Sequence, residues 1–229
     1  MTDAHAGLAG QLARLPQRQV LSDDVYETVK GMLMDHSIAP GARLSIDGLS
    51  RELQVSQTPI REALARLESE GLVTKAPLRG YSATDLLSRG ELLDLYRFRM
   101  LLEPWVAARA AEQASDDVVS RIEAELASCP VAPAGSGYSD YRLISAHDAR
   151  FHDLLADIAG SAQVRAALTR THAHLHLFRL SYGQTFGSDT LREHHAIARA
   201  ISARSPRRAE DAMRAHLETA KVRLLPAAG

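Results

Sequence analysis

Four side chains that can bind a transition metal are spread over the second half of the chain. Asp148 and His152 are four residues apart, so on a helix they would lie one above the other on the same face. His194 and His216 follow in two further amphipathic segments. If the three helices share one bundle core, three imidazoles and one carboxylate suit Zn²⁺, Ni²⁺, Fe²⁺ or Mn²⁺ rather than Ca²⁺. The alternative is a surface Asp–His pair and two unrelated histidines, because the chain contains ten histidines.

An arginine lies on the apolar face of another segment. From residue 89 onward, apolar residues recur at three- and four-residue spacing and predict a helix with one buried face, on which Arg99 lies. A buried guanidinium needs a partner. One candidate is Glu103, one turn further along the same helix, and the other is the carboxylate of a bound small molecule, which a guanidinium binds in bidentate fashion. The pattern leaves both partners open.

The elements before these groups have the order of a winged helix–turn–helix domain over residues 20–84. After a mobile arm at 1–19, helical spacing continues over 20–36, with Ser22 as the predicted N-cap. Two shorter helices follow, and Ser56 would cap the second. Two short apolar runs around a turn then predict a two-stranded wing. This arrangement places the third helix in the major groove of DNA.

The third helix begins with polar side chains on the face opposite its apolar stripe. Gln57, Thr58 and Arg61 are there, and their types suit hydrogen bonds to base edges or phosphates. Arg79 and Gly80 lie at the tip of the predicted wing, which can approach the DNA backbone or enter the minor groove. The pattern favours DNA binding only modestly, since any cluster of three helices can show it.

The rest of the chain shows only helical patterns, so the fold class is mainly α. We predict that residues 89–226 form an all-α bundle of about six helices, which follows the three helices and two-stranded wing of the first domain. The predicted helices of the bundle are 89–113, 116–127, 139–159, 161–182, 189–203 and 206–225.

Composition limits the classes of protein that remain. The net charge of −1 does not by itself indicate nucleic-acid binding, so any basic surface must be local. The single cysteine, Cys129, excludes an internal disulfide and fits a reducing compartment. No apolar run approaches the roughly 20 residues that span a bilayer, and no secretory signal is evident. We therefore expect a cytoplasmic protein with no membrane partner.

The first domain resembles the GntR family of transcription regulators. The resemblance rests on IAPGARLS at 38–45, LSRELQVSQTPIREALARLESEGLV at 49–73 and RGY at 79–81. It implies a dimer on near-palindromic operators. Many members have arginine where this chain has Gln57, which affects the operator sequence rather than the mode of binding. The DNA contacts that it implies are Ser56, Gln57, Thr58 and Arg61 from the recognition helix and Arg79 and Gly80 from the wing.

The second domain resembles the FCD effector domain of the FadR branch of that family. The matching segments are RMLLE at 99–103, DARFH at 148–152, EHHAI at 193–197 and AMRAHL at 212–217. In metal-binding members such residues hold an ion that helps to bind a small carboxylate. The resemblance implies metal ligands at Asp148, His152, His194 and His216, with Arg99 as an effector-binding residue. His195, next to His194, is the alternative ligand.

The resemblance implies a homodimeric regulator, in the commoner case a repressor that the effector releases from its operator. Two rivals remain: a metal-dependent enzyme built on the helical domain, and a regulator whose metal is purely structural. A further cluster, His172, His174 and His176, is expected to be solvent exposed. The sharper hypothesis is that one of these histidines lines the effector cavity.

Overall fold

The computed structural model describes residues 16–130, 138–180 and 187–229. The chain divides into two compact units, and the boundary in the sequence lies between Asp85 and Leu86. Within the described ranges the chain is mainly α-helical, with one small sheet, as the sequence predicts. None of the described helices is both long enough and apolar enough to cross a bilayer.

The first unit combines three helices with three short strands. Their bounds are α1 Pro16–Met34, β1 Arg43–Leu44, α2 Ile46–Glu52, α3 Gln57–Ser69, β2 Val73–Ala76 and β3 Gly80–Ala83. The first helix begins earlier than predicted, because residues 16–19 of the expected arm are helical and Ser22 is not its N-cap. Proline is well accepted in a first helical turn, since its missing N–H has no partner there. Residues 1–15 of the arm lie outside the described residues.

The wing is part of a three-stranded sheet rather than a two-stranded one. The strand order is β1-β3-β2, and both pairings are antiparallel. In the added pairing, Arg43 faces Ser82 and Leu44 faces Tyr81. A two-residue strand shows no alternation that could be read from the sequence, so its pairing with β3 is visible only in the folded chain.

Helix α3 buries one face and exposes the other. Ile60, Leu64 and Leu67 recur at helical spacing and are fully buried. Their burial against α1 stabilises the unit and leaves the opposite face of α3 open. At the far end of the interface, the Tyr26 hydroxyl donates to the Glu70 carboxylate, at 2.6 Å from Oε1 and 2.8 Å from Oε2.

The second unit contains seven α-helices among its described residues, one more than predicted. They are α4 Arg89–Glu112, α5 Asp116–Ala127, α6 Tyr138–Ile158, α7 Ala162–Thr169, α8 Ala173–Leu180, α9 Gly187–Ser202 and α10 Pro206–Leu224. A short 3-10 helix, Leu225–Ala227, follows. The helix predicted over 161–182 is broken into α7 and α8, because His172 has a φ of +44°, outside the right-handed helical region.

Helix α4 organises the second unit, packing against α6, α9 and α10. It begins with a capping box: the Ser88 hydroxyl accepts a hydrogen bond from the Glu91 N–H, and the Glu91 carboxylate accepts one from the Ser88 N–H. Its inward face carries Tyr96, Arg99 and Glu103, which are all buried. Polar groups therefore enter the core where four helices meet.

Candidate metal centre and DNA-binding surface

The four residues selected from the sequence as metal ligands come together in the second unit. Asp148 and His152 lie on α6, His194 on α9 and His216 on α10. All four are buried, and one potential ligand atom from each lies within 4.8 Å of the others. On α9, His194 points into the core, whereas His195 is exposed. The fold therefore distinguishes the two neighbouring histidines.

The Asp148 carboxylate divides its two oxygens between the cluster and another helix. Oδ1 is 3.3 Å from His194 Nε2 and 3.9 Å from His152 Nε2. Oδ2 is 2.5 Å from His174 Nδ1 on α8. Burial by itself raises the pKa of Asp148, but His174 and the other histidines lower it well below its usual range. Asp148 is therefore an ionised carboxylate that faces the histidines.

Two of the histidines present nitrogen atoms that are buried and unpartnered. Within the described part of the chain, neither His152 Nε2 nor His194 Nε2 has a hydrogen-bond partner of good geometry. Burial lowers the pKa of His152 to about 4 and that of His194 to about 3. Both rings are therefore neutral near pH 7, the form of imidazole that binds a metal ion. A divalent transition metal would give these nitrogens the partner they lack.

The opposite nitrogens of the three cluster histidines contact acceptors outside the cluster. His152 Nδ1 is in contact with Glu103 Oε2, although the pair does not have the geometry of a hydrogen bond. His216 Nδ1 is 2.8 Å from Glu193 Oε2, and the Arg223 guanidinium binds both Glu193 oxygens. An outer hydrogen bond of the kind that His216 makes fixes which ring nitrogen faces inward. The third histidine, His194, has the imidazole of His147 rather than a carboxylate at its outer nitrogen.

Arg99 has the intramolecular partner that its spacing permitted. Its Nε is 2.5 Å from Glu103 Oε1, and one terminal nitrogen is 3.3 Å from Oε2. Burial would raise the pKa of Glu103, but Arg99 and His152 together hold it below its usual range. Glu103 thus links Arg99 to the cluster through His152. Of the two partners predicted for Arg99, the structure contains Glu103. Arg99 also lies next to the candidate metal site.

The expectation that His172, His174 and His176 are solvent exposed is wrong. All three are half-buried, and His174 contacts Asp148. The sequence pattern predicts one continuous helix here, whereas the folded chain breaks at His172, before α8. Sequence reasoning also missed Tyr96, whose buried hydroxyl has no hydrogen-bond partner among the described residues. Helical spacing could have identified Tyr96, because it lies one turn before Arg99 on the inward face of α4.

The six residues selected as DNA contacts are all exposed in the first unit. Ser56, Gln57, Thr58 and Arg61 lie at the start of α3, and Arg79 and Gly80 lie where β2 turns into β3. The backbone of Ser56 adopts the N-cap conformation, but its side chain makes no capping hydrogen bond. Gly80 has a φ of +79°, which only glycine adopts readily. The tip of the turn is formed by Leu78, which is fully exposed and was not singled out.

The side chains of the recognition helix are linked to α2. Gln57 Nε2 donates to Asp47 Oδ1 at 2.5 Å, and the Arg61 guanidinium donates to Gln57 Oε1 at 3.0 Å. This chain of hydrogen bonds holds Arg61 along the exposed face of α3. Gln57 thus joins α2 to Arg61 within the first unit.

The fold and the exposed face of α3 define a winged helix–turn–helix protein with a helical domain attached. Comparison with protein-family models supports both parts. The model of bacterial regulatory proteins of the gntR family matches residues 21–82, and the FCD domain model matches residues 94–219. The chain therefore belongs to the GntR family of bacterial regulators and carries an FCD domain. The predicted family is confirmed.

Relatives of similar length support the same assignment. The HTH-type transcriptional regulator YdhC of Bacillus subtilis is 27% identical over 193 residues, which cover 83% of this chain and 85% of that protein. The HTH-type transcriptional repressor RspR of Escherichia coli K12 is 27% identical over 207 residues, 90% of this chain and 89% of that protein.

A solved structure shows the same fold. It is that of a transcriptional regulator GntR from Rhodococcus sp. RHA1, which aligns with a TM-score of 0.68 and 24% identity over 91% of this chain and 99% of that one. Taken with its family and relatives, this chain is a DNA-binding transcription regulator of the GntR/FCD type and not an enzyme.

Proposed function

We propose that the protein is a homodimeric repressor whose operator affinity is controlled by a small carboxylate bound at a metal centre in the helical domain. The observation that carries this proposal is the buried cluster of Asp148, His152, His194 and His216, in which His152 and His194 are neutral near pH 7. Burial of four such groups is costly unless a ligand satisfies them.

The residues of the cluster fit a divalent transition metal ion, namely Zn²⁺, Ni²⁺, Fe²⁺ or Mn²⁺. Three imidazole nitrogens and one carboxylate oxygen form the donor set that these ions share, and the softer thiolate ligands are missing from it. A bound ion supplies a positive charge that attracts and orients a carboxylate. The ionised Asp148 would offset part of that charge, so the centre would keep a net attraction for an anion.

Two groups on α4 would complete the effector site. Arg99 uses Nε and one terminal nitrogen on Glu103, and its guanidinium carries five N–H donors in all. Tyr96 lies one turn earlier, with the Arg99 guanidinium carbon 5.5 Å from its ring centre. Its unpartnered hydroxyl is a donor that a bound carboxylate could use. His174, which is 20% exposed and contacts Asp148, would border the same site.

The exposed face of α3 supports the DNA-binding part of the proposal. Arg61 would make a bidentate contact with guanine, and Gln57 would hold Arg61 in place or bind adenine. Ser56, Thr58, Arg79 and Gly80 would position the domain through phosphates and the minor groove. A dimer places two small DNA-binding domains on one operator and so gives the affinity that a single domain lacks. RspR, which is similar along most of its length, is named a repressor, and this favours repression for the present chain.

DNA binding is tested by fluorescence anisotropy with the DNA that flanks the gene of this protein, at two salt concentrations and with a scrambled control. Tight, salt-dependent binding above the control is expected, with Arg61→Ala abolishing it. Arg97→Ala, on an exposed part of α4, is the matched control and should bind as wild type. Equal, weak binding to both DNAs would contradict the choice of operator, and selection from a random DNA pool would then test the DNA-binding surface itself.

The effector part is tested on the same operator complex. Protein loaded with Zn²⁺ and protein stripped by a chelator are each titrated with citrate, malate and glycolate. We expect a carboxylate to weaken DNA binding at least fivefold only in the metal-loaded protein, because an effector must bind one state more tightly than the other. If chelation lowers the melting temperature but no carboxylate affects DNA binding, the metal has a structural role instead. Sedimentation analysis of the free protein tests the dimer.

A further inference from the structure

A fourth buried histidine lies directly behind the candidate metal centre. His147 precedes Asp148 on α6, and its side chain is 0% exposed. Successive residues of an α-helix point about 100° apart. His147 therefore turns away from the cluster that Asp148 faces. It fills the space between α5 and α9, where its ring centre is 5.1 Å from that of His194.

Both ring nitrogens of His147 are engaged. Nε2 is 3.0 Å from Nδ1 of His194 on α9, and Nδ1 is 2.9 Å from Oε1 of Glu125 on α5. The Glu125 carboxylate is held in turn by Arg150, whose Nε lies 3.0 and 3.2 Å from the two oxygens, and by the Ser128 hydroxyl. A continuous chain of contacts thus runs from the cluster to α5.

The positions of the protons in this chain follow from the chemistry of neutral imidazole, which has one N–H and one lone pair. His194 must keep the lone pair on Nε2 if that atom is to bind a metal, so its hydrogen is on Nδ1. His194 then donates to Nε2 of His147, whose own hydrogen is on Nδ1 and is donated to Glu125. Only this arrangement satisfies both hydrogen bonds and leaves His194 ready to bind a cation.

The other two cluster histidines have a carboxylate at the outer ring nitrogen. Glu103 lies behind His152 and Glu193 behind His216. The outer nitrogen of His194, Nδ1, contacts His147 instead, and His147 transmits the effect of Glu125 to it. Outer partners of this kind orient a ligand and increase its basicity, and their loss typically lowers metal affinity 10- to 100-fold.

We infer that His147 is a positioning residue of the metal centre, which fixes the tautomer and ring orientation of His194 by relaying a hydrogen bond from Glu125. This inference rests on the proposed metal site. The merely structural alternative is that His147 is a buried polar residue that only joins α5 to α9. The two roles differ in what happens to the metal, not in what happens to the fold.

The experiment measures metal binding by the full chain after chelation. Zn²⁺ affinity is determined by competition with a chromophoric chelator, and the coordination environment is read from the visible absorption of the Co²⁺ protein. His147→Phe retains the ring volume and removes both nitrogens. It should weaken Zn²⁺ binding 10- to 100-fold and shift the Co²⁺ bands. His147→Gln, which offers one acceptor and one donor, should recover part of the affinity.

Two further variants keep the inference testable if His147→Phe fails to fold. Glu125→Met removes the acceptor at the far end of the chain, and should weaken Zn²⁺ binding because His147 is no longer held in one tautomer. Glu125→Gln retains an acceptor and should bind more tightly than Glu125→Met. His195→Phe, an exposed neighbour of His194, is the control and should match wild type.

The outcomes separate this inference from the proposal on which it rests. If the wild-type protein binds neither Zn²⁺ nor Co²⁺, the metal centre itself is refuted, and the role of His147 with it. If the wild type binds both ions and the folded His147 and Glu125 variants show wild-type affinity and spectra, the metal centre stands and His147 is only structural.

Discussion

The buried ion pair of Arg99 and Glu103 gives the sharpest prediction of stability. Arg99→Met retains most of the apolar stem but removes the charge, and it leaves the Glu103 carboxylate buried with His152 as its remaining contact. Both partners are nearly inaccessible to water, at 2% and 3% exposure. Breaking such a pair from one side costs about 3–5 kcal/mol, since the remaining charge has lost its counter-charge. We expect Arg99→Met to reduce the free energy of unfolding by that amount.

The assay uses the one tryptophan of the chain, Trp105, which lies on α4 a short distance from the pair. Urea unfolding of metal-free protein, followed by its fluorescence, reports on the helical domain. Arg97→Met is the matched control on the same helix, because Arg97 is 75% exposed and lies 4.0 Å from Asp94. It should change stability by less than about 0.5 kcal/mol.

A second substitution tests the cause of the loss. In Arg99→Met combined with Glu103→Leu, no unpaired charge stays in the core, and such replacements of a whole buried pair are often neutral. The double variant should therefore regain at least about 2 kcal/mol relative to Arg99→Met. If Arg99→Met loses less than about 1 kcal/mol, as an exposed arginine would, the pair is not buried in solution and the reasoning is refuted.

Three other predictions follow from groups in the same unit. The depressed pKa values of His152 and His194, about 4 and about 3, lie below the ordinary value of 6.5, so the unfolded chain binds more protons. The free energy of unfolding is therefore undiminished by these histidines above about pH 6.5. Below that pH, each histidine should lower it by roughly 1.4 kcal/mol per pH unit. Urea midpoints measured at pH 7 and at pH 5 test this. Tyr96→Phe removes an unpartnered buried hydroxyl, so the melting temperature should stay equal or rise, while any carboxylate response weakens. Ser88→Ala removes a helix cap and should cost about 1 kcal/mol in the same urea assay.

Each of these three predictions would be contradicted by a specific result. A urea midpoint that is as high at pH 5 as at pH 7 would mean that His152 and His194 are hydrated rather than buried. A Tyr96→Phe protein that melts several degrees lower would show that the hydroxyl has a partner in solution. Wild-type stability of Ser88→Ala, with Ser115→Ala at the cap of α5 as a comparison, would show that the start of α4 depends on packing alone.

Local patterns were enough for much of the DNA-binding domain. The spacing of Ile60, Leu64 and Leu67 predicts both the helix and its buried face, since that periodicity is a property of the helix itself. The exposed position of Arg61 follows from the same periodicity. The first strand could not be predicted, because two residues show no period. Arg43 is in a strand only because Ser82, far along the chain, lies beside it.

The sequence by itself also determined the types of side chain available for the metal centre, and for Asp148 and His152 their common helix face. It left open whether His194 or His195 faces inward, and whether Arg99 pairs with Glu103. It placed His174 in solvent. These points depend on how four helices pack, because burial and hydrogen bonding are decided by neighbours from other helices. Only the tertiary structure therefore brought Asp148, His194 and the relay through His147 into one centre.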